Sequence, residues 1–182
     1  MKKFGVLWDL DGTITDSFDC FFAGLLDFMK AQGIPFDMER EAYKAAYFGR
    51  TIETVLVDFS PVALGPERLR ELGVVYTDLC AEMAKEPGAI TMLPGADRVI
   101  RELHREAIPQ AIGSSSVLKM IQGELESIGL WEFFDNAVSG SLLPSKPAPD
   151  VFLVAAASLG LAPENCVVFE DSAAGVDAAK AA

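Results

Sequence analysis

The fold is decided by residues 5–13, which read Gly5-Val6-Leu7-Trp8-Asp9-Leu10-Asp11-Gly12-Thr13. The first four residues favour a buried parallel strand, and Gly12 marks the loop in which that strand ends. Two carboxylates one residue apart at such a point raise each other's pKa unless a cation lies between them. A divalent metal ion would supply that cation. Asp, Gly and Thr also form ordinary turns, so this stretch alone leaves both interpretations open.

Further along the chain, three more segments are predicted to be strands. They are 108–113, Asn136–Ser139 and Cys166–Phe169, and they alternate with predicted helices at 95–105, 117–128 and 150–159. Alternation with short connections predicts a Rossmann-like, doubly wound parallel α/β sheet with right-handed crossovers. Ligands of such sheets bind at the carboxyl ends of the strands. We therefore expect Asp9, Ser114 and Glu170-Asp171, each of which follows a strand, to converge.

Residues 17–88 carry only helical patterns. Asp16-Ser17 can cap a helix whose apolar stripe ends at Gly33. Two short helices are predicted over 38–47 and 51–59, and Pro66 opens a longer one. A helical block inserted after the first strand indicates a separate small bundle. We predict a helical cap domain at 17–88 and an α/β core domain at 1–16 and 89–182, with hinges at Ser17 and Pro87-Gly88.

Composition narrows the choice of partner and setting. The chain has 182 residues, of which 51% are hydrophobic, enough for a sizeable core. Its net charge of -12 provides no basic face, which argues against nucleic acid and membrane surfaces as partners. The three cysteines lack disulfide or metal spacing, and the start of the chain carries no apolar signal segment. We expect a cytoplasmic protein.

Four motifs in this order resemble those of the haloacid dehalogenase (HAD) superfamily. They are Asp9-x-Asp11-Gly12-Thr13, Ser114, Lys146 in Lys146-Pro147-Ala148-Pro149-Asp150, and Glu170-Asp171. The resemblance covers nearly the whole chain, and the helical block is similar in position and content to the helical cap of the branch that includes β-phosphoglucomutase and phosphoglycolate phosphatase. It implies a Mg²⁺-dependent phosphatase that hydrolyses a small phosphate monoester such as a sugar phosphate or phosphoglycolate.

The resemblance also implies a role for each motif residue. Asp9 would be the nucleophile that forms an aspartyl-phosphate, because phosphoryl transfer needs mainly positioning and charge neutralisation. Asp11 would protonate the leaving oxygen and then deprotonate the attacking water. Mg²⁺ would be held by Asp9, the backbone carbonyl of Asp11 and Asp171. Glu170 would orient a water molecule bound to the metal.

Two further motif residues would bind the phosphoryl group. Ser114, with Ser115 beside it and the following helix start, would donate hydrogen bonds to phosphoryl oxygens. Lys146 would neutralise developing charge. Each motif also has a plain structural alternative: Ser114 as a helix cap, Lys146 as a surface lysine, and Glu170-Asp171 as an acidic cap on the final helix.

Substrate choice is expected to lie with the cap. Phe48-Gly49-Arg50-Thr51 lies between the two short helices, where the resembling enzymes have a turn that faces the active site. Gly49 and Arg50 are therefore predicted to bind substrate, with the planar Arg50 guanidinium suited to a distal anionic group. A surface arginine near a helix start is the alternative.

Branches of the superfamily are separated by single residues. Asp11 argues against the dehalogenases and the phosphonate-cleaving enzymes, which lack that second acid. Sugar phosphomutases of the β-phosphoglucomutase type keep it but carry a histidine in the first cap helix, where this chain has Phe21. Hydrolysis is therefore favoured. The alternatives are a mutase and a non-catalytic relic that binds phosphate or a partner.

At its end the sequence stops inside the helix that follows Glu170-Asp171, whereas members of the superfamily usually continue into a further strand and helix. The C-terminal part of the core is thus expected to be truncated. This leaves an uncovered sheet edge beside Cys166–Phe169, which a homodimer or another partner would complete.

Overall fold

The structure is a computed structural model, and it describes residues 4–47 and 50–182. The central strands are β1 (Gly5–Trp8), β4 (Gln110–Ser114), β5 (Asn136–Ser139) and β6 (Cys166–Phe169). Within the described ranges they form a four-stranded sheet in the order β5-β4-β1-β6, and every neighbouring pair is parallel. Consecutive strands are connected by helices, as a parallel sheet requires. The predicted α/β fold class is confirmed.

The helices follow the predicted pattern with small shifts at their ends. They are α1 (Phe18–Gln32), α2 (Arg40–Tyr47), α3 (Ile52–Phe59), α4 (Pro66–Met83), α5 (Ala96–Arg105), α6 (Leu118–Ser127), α7 (Asp150–Ser158) and α8 (Ala173–Ala181). Helix α1 ends where predicted, because Gly33 adopts the left-handed conformation that closes a helix, with φ of 66°. Helix α4 begins at Pro66, whose missing N–H costs nothing in the first turn.

A short antiparallel ribbon flanks the helical block. Strand β2 (Thr15–Asp16) pairs with β3 (Thr91–Met92), so Thr15 lies opposite Met92 and Asp16 opposite Thr91. The sequence analysis missed this ribbon, because a strand of two residues is too short to show alternation. The pairing holds the chain that enters the block beside the chain that leaves it.

Each face of the central sheet is covered by its own helices. On one face, Val6, Trp8 and Ile112 pack with residues of α5 and α6 in one apolar cluster. On the other, Leu7 and Ala111 pack with residues of α7 and α8. Adjacent residues of β1 alternate between the two clusters, as the two-residue period of a strand requires. Burial on both faces explains why β1 reads as a continuous apolar run.

Helices α1 to α4 build an apolar cluster of their own around Phe18, Leu25, Phe28, Leu56 and Leu72. A separate cluster joins this bundle to the sheet domain by packing side chains of α1 and α4 against α6. It contains Cys20, Phe21, Cys80, Ala81 and Met120. The bundle therefore rests on α6, next to the carboxyl ends of the strands.

Strand β6 lies at one edge of the central sheet. Val167 and Phe169 point to the same side of it and are 50% and 40% exposed. Phe169 stacks on Trp8 of the neighbouring strand, with ring centroids 4.3 Å apart. Among the described residues, no helix combines the length and the apolar character needed to cross a membrane.

Candidate active site

Residues from distant parts of the sequence meet at the carboxyl ends of the strands. Asp9 directly follows β1, Ser114 is the last residue of β4, and Glu170 and Asp171 follow β6. The Asp9 backbone N–H donates to the Phe169 carbonyl at 3.0 Å, which brings the ends of β1 and β6 side by side. Parallel strands make this convergence unavoidable, because all their carboxyl ends share one edge of the sheet.

Lys146 links the two acidic loops. Its Nζ lies 2.5 Å from Asp9 Oδ1 and 3.0 Å from Glu170 Oε2. The three side chains are 9% exposed or less, and Nζ also lies 4.8 Å from the centroid of the Phe152 ring. The alternative of a surface lysine is therefore wrong. Burial alone would lower the pKa of Lys146, but Asp9 and Glu170 raise it above its ordinary value, so the side chain stays charged.

The carboxylates of Asp9, Glu170 and Asp171 form an acidic cluster in which one oxygen of each lies within 4.8 Å of the others. Burial raises the pKa of Asp9 to about 7 against the opposing effect of Lys146. Burial and the charge of Glu170 also raise the pKa of Asp171. A divalent cation would lower both of these pKa values, because a positive charge favours the ionised carboxylates.

Gly12 keeps the backbone close to this acidic cluster. Its φ is 88°, and a Cβ atom at this position would collide with the Asp171 carboxylate. Because Gly12 has no side chain, the Asp171 carboxylate can approach the loop that follows β1. Carboxylate oxygens are the ligands that Mg²⁺ prefers. The residues present fit a magnesium ion.

Asp11 is held by hydroxyl groups from two sides. Ser17 donates to Asp11 Oδ1 through a short hydrogen bond, and Ser116 donates to Asp11 Oδ2 at 3.0 Å. Burial raises the pKa of Asp11, and these hydrogen bonds counteract part of that effect. Sequence reasoning treated Ser17 as a helix cap. Ser17 does occupy the N-cap position of α1, but its side chain makes no capping bond.

Ser114 is 1% exposed and lies at the floor of the site. Its Oγ accepts a hydrogen bond from the Ser116 backbone N–H at 3.1 Å. Helix α6 begins later, after Val117, and no side chain caps it. The helix-cap alternative for Ser114 is therefore wrong, and the hydroxyl hydrogen of Ser114 remains available to a ligand. Ser115 lines the same cavity.

The acidic-cap alternative for the last motif is also wrong. Helix α8 is capped by Ser172, whose Oγ accepts from the Gly175 backbone N–H at 3.0 Å. The Ser172 hydroxyl donates in turn to Glu170 Oε1 at 2.6 Å. Glu170 is thus fixed on both sides, by Ser172 and by Lys146, while Asp171 remains exposed to the cavity.

A cavity of about 580 Å³ extends from these residues to the helical bundle. Arg50 lines the far side, with its guanidinium carbon 5.8 Å from the centroid of the Tyr47 ring. The arginine therefore faces the cavity, as the sequence analysis expected. Gly49 was predicted to bind substrate too, and it lies outside the described residues.

Glu124 is a buried acid that sequence reasoning missed. Its Oε2 accepts from the Thr15 hydroxyl at 2.9 Å, whereas Oε1 is buried and has no hydrogen-bond partner in the part of the chain that the structure describes. Burial raises its pKa well above the ordinary value, with a further contribution from Asp11. The Thr15 carbonyl accepts from the Gly12 N–H at 2.8 Å, so Glu124 supports the loop that carries Asp9 and Asp11. A signal exists, since Glu124 falls on the apolar stripe of α6 with Met120 and Ile121.

Comparison with known proteins places this geometry in one family. A family profile of haloacid dehalogenase-like hydrolases matches residues 5–182. Fructose-1-phosphate phosphatase YqaB of Escherichia coli is 29% identical over 98% of this chain and 92% of its own length. Beta-phosphoglucomutase of Bacillus subtilis is 30% identical over 97% of this chain and 79% of its own length.

Solved structures show the same fold. The crystal structure of CbbY from Rhodobacter sphaeroides in complex with phosphate superposes with a TM-score of 0.85, at 24% identity, over 97% of this chain and 81% of that one. The profile match, together with the converging motif residues, establishes that this chain belongs to the haloacid dehalogenase-like hydrolases.

Proposed function

We propose that the protein is a Mg²⁺-dependent phosphatase that hydrolyses a small phosphate monoester through an aspartyl-phosphate on Asp9. The observation that carries this proposal is the contact of Lys146 with both Asp9 and Glu170 at the edge where Ser114 and Asp171 also lie. This arrangement offers one phosphoryl group a nucleophile and a fixed cation, and Asp171 faces the same cavity as a ligand for the metal ion. Relatives described as phosphatases, such as fructose-1-phosphate phosphatase YqaB and hexitol phosphatase A, support it.

In the first step, an Asp9 carboxylate oxygen attacks phosphorus and the bond from phosphorus to the ester oxygen breaks. Asp11 gives its proton to the leaving oxygen, which departs as an alcohol. The raised pKa of Asp11 suits it to hold that proton, and Ser17 and Ser116 keep the carboxyl group in place. The product of this step is a phosphoryl group bound to Asp9.

In the second step, the ionised Asp11 takes a proton from water. The resulting hydroxide attacks phosphorus, the bond to Asp9 breaks, and inorganic phosphate leaves. Asp11 is again protonated, as at the start of the cycle. One residue thus serves as acid and then as base, which requires a pKa near the working pH.

Charge on the phosphoryl oxygens is balanced by this chain's own groups. Lys146 supplies a buried ammonium, and Ser114 and Ser115 supply hydroxyl groups at the end of β4. Asp9 and Asp171 would hold the magnesium ion, with the Asp11 carbonyl as a further ligand and Glu170 in support. When bound, that ion would neutralise phosphoryl charge that this acidic protein otherwise repels.

The division into two domains belongs to the same proposal. We place the core at 1–16 and 89–182 and the helical cap at 17–88, on the strength of the separate apolar clusters. The β2-β3 ribbon would guide the hinges at Ser17 and Pro87-Gly88. Closure would bring Arg50 toward the phosphoryl site and exclude water. Because Ser17 contacts Asp11, cap position and acid/base geometry would be coupled.

Phosphate release from a panel of small phosphate esters tests the proposal, with Mg²⁺ and with a chelator. We expect metal-dependent release that Asp9→Asn reduces by at least about a thousandfold. Asp177→Asn is the matched control, because Asp177 is an exposed acid of α8 that does not line the cavity. Wild-type turnover in Asp9→Asn would reject the mechanism, and equal turnover with chelator would reject the metal requirement.

A sugar phosphomutase is the second candidate, since beta-phosphoglucomutase of Bacillus subtilis is 30% identical over most of this chain. Phe21 lines the cavity at the place where mutases of this type carry histidine, and its ring cannot transfer a proton. This favours hydrolysis. Phosphorus NMR of glucose 1-phosphate with the enzyme distinguishes the two, because a mutase yields glucose 6-phosphate and a phosphatase yields inorganic phosphate.

A further inference from the structure

The cavity has two chemically different sides. Its floor is polar and carries the proposed phosphoryl-binding groups, whereas its cap side combines six rings with the polar side chains of Arg50, Thr51, Glu53 and Thr77. We call these rings the aromatic wall: Phe18, Phe21, Phe22, Tyr43, Tyr47 and Tyr76. They come from helices α1, α2 and α4. Phe18, Phe21 and Tyr43 are buried, so the half-buried Phe22, Tyr47 and Tyr76 supply the surface that a ligand can reach. A phosphoryl group on the floor therefore directs the rest of its ester toward this wall.

The rings of the aromatic wall are fixed by contacts with one another. Tyr43 and Tyr47 stack with centroids 5.6 Å apart and planes inclined by 12°, and Phe22 lies 5.3 Å from Tyr43. Phe18 stacks on Phe22 at 5.6 Å. A preorganised wall of this kind loses little conformational entropy when a ligand binds to it.

Two of the wall's hydroxyl groups are already engaged. Tyr47 donates to Asp58 Oδ2 at 2.8 Å, and Tyr76 donates to the Phe21 carbonyl at 3.2 Å. The hydroxyl hydrogens of these two residues are therefore engaged within the protein. A ligand that buries several hydroxyl groups here would leave some of them without partners, which is costly. A planar ring carries no such cost and gains from contact between aromatic groups.

The size of the cavity also favours a ligand with a ring over a very small ester. Its volume of about 580 Å³ lies in the range of sites that take ligands of drug size, roughly 300–1,000 Å³. A two-carbon ester would fill only the floor. Arg50 lies beside Tyr47 at the rim, and a guanidinium plane also stacks on aromatic rings.

On these grounds, and resting on the proposed phosphatase function, we propose that the substrate is a phosphate monoester whose alcohol carries a planar heteroaromatic ring, as in a nucleoside monophosphate. The phosphoryl group lies on the floor at Asp9 and Lys146. The ring lies against the aromatic wall, and Phe22 is a specificity-determining residue.

The decisive comparison keeps the scissile bond constant. Uridine and adenosine 5′-monophosphates share their primary leaving oxygen with ribose 5-phosphate but add a base. We expect kcat/KM to be at least about tenfold higher for one of the nucleotides than for ribose 5-phosphate or fructose 1-phosphate, since stacking of one base on aromatic side chains changes binding by about that factor or more. Equal or higher kcat/KM for both ring-free esters would overturn the inference and leave the phosphatase intact.

A pair of variants tests the wall itself. Phe22→Leu removes a ring that lines the cavity, and we expect it to lower kcat/KM for the preferred nucleotide at least about fivefold more than for ribose 5-phosphate. Phe36→Leu is the matched control, because Phe36 packs against Phe22 and Tyr43 but is not among the described lining residues. Phe36→Leu should leave the ratio of kcat/KM for the nucleotide to kcat/KM for ribose 5-phosphate unchanged. Equal losses for both esters in Phe22→Leu would reject its role in specificity.

Binding measurements distinguish the proposed phosphatase activity from the proposed preference for a ligand with a ring. Calorimetric titration of Asp9→Asn with each nucleotide and with ribose 5-phosphate, in the presence of Mg²⁺, reports affinity without turnover. If the wild-type protein releases no phosphate while one nucleotide binds at least about tenfold more tightly than ribose 5-phosphate, the phosphatase proposal fails, and the preference of the aromatic wall for a ring stands as a property of ligand binding only. Equal binding of all three would overturn the inference.

Discussion

The Lys146 ammonium nitrogen lies 2.5 Å from Oδ1 of Asp9, a residue 137 positions earlier in the chain. The same nitrogen lies 3.0 Å from Glu170 Oε2, so one cation joins the loops after β1 and β6. Because all three side chains are nearly buried, their charges interact more strongly than they would in water. Burial favours the protonated form of Asp9, and the contact with Lys146 opposes it by favouring the ionised form.

Lys146→Met should shift the pH dependence of catalysis. In the proposed mechanism Asp9 must be ionised to attack phosphorus, so we expect kcat/KM to rise with pH as Asp9 loses its proton. Burial raises the pKa of Asp9 to about 7 and Lys146 opposes that rise. Without the ammonium the pKa moves higher, and the acid limb of the pH profile should move to higher pH, with kcat at least about a hundredfold lower. Lys119→Met is the control, since Lys119 pairs with Asp78 on the surface. An acid limb at the wild-type pH in Lys146→Met would contradict the assignment.

If Mg²⁺ binds as proposed, it should stabilise the folded protein, and Asp171→Asn should remove that stabilisation. At a concentration a hundred times its Kd, a ligand that binds the folded state stabilises it by about 2.7 kcal/mol. In the wild-type protein we expect Tm to rise by several degrees, and to rise more at pH 8 than at pH 6, because protons compete for Asp9, with its pKa of about 7. Differential scanning calorimetry with and without Mg²⁺ measures both effects. Asp177→Asn should respond like the wild type, and a full response in Asp171→Asn would exclude it as a ligand.

Gly12→Ala should damage both stability and the metal site. Gly12 has φ of 88°, a conformation that costs an alanine about 1–2 kcal/mol, and the added Cβ would also collide with the Asp171 carboxylate. Gly33→Ala is the matched control, because Gly33 has φ of 66° but open space around its missing Cβ. Urea unfolding should show a loss of about 1 kcal/mol in Gly33→Ala and a larger loss in Gly12→Ala. Of these two glycine variants, only Gly12→Ala should lose the rise in Tm that we expect from Mg²⁺. Equal losses in the two variants would show that the contact with Asp171 is unimportant.

The effect of Glu124→Gln on the free energy of unfolding should become more favourable as pH rises. Burial raises the pKa of Glu124 well above its ordinary 4.5 in the folded state, so the folded protein keeps a proton that the unfolded chain releases. The stability this proton provides is complete below pH 4.5 and is lost as pH rises through the folded pKa, by roughly 1.4 kcal/mol per pH unit.

Glutamine cannot ionise, so the difference in unfolding free energy between Glu124→Gln and wild type should grow in favour of the variant from pH 5 to pH 8. Glu126→Gln, an exposed neighbour on the same helix, should show no such trend. A difference that is constant with pH would mean that Glu124 titrates normally.

Much of the fold follows from local patterns. Strands β5 and β6 begin and end where the sequence predicts, and α1 lies between Ser17 and Gly33 as expected, because Gly33 closes the helix by its own conformational freedom. The β2-β3 ribbon could not be predicted in this way. Each of its strands has two residues, and their pairing joins Thr15 to Met92 across the whole helical block.

Which of the site residues meet follows from the strand pattern alone. Asp9 and Glu170 each follow a strand of one parallel sheet, Ser114 ends another, and the topology brings the ends of such strands to a common edge. How these residues interact depends on the tertiary structure. Whether Lys146 is a surface lysine or a buried bridge, whether Ser17 caps a helix or donates to Asp11, and whether Glu124 lies in water or in the core depends on packing between elements far apart in the chain. Apart from the position of Glu124 on the apolar stripe of α6, local sequence carries little record of those contacts, because burial and the pKa values that follow from it arise only when the helices close over the sheet.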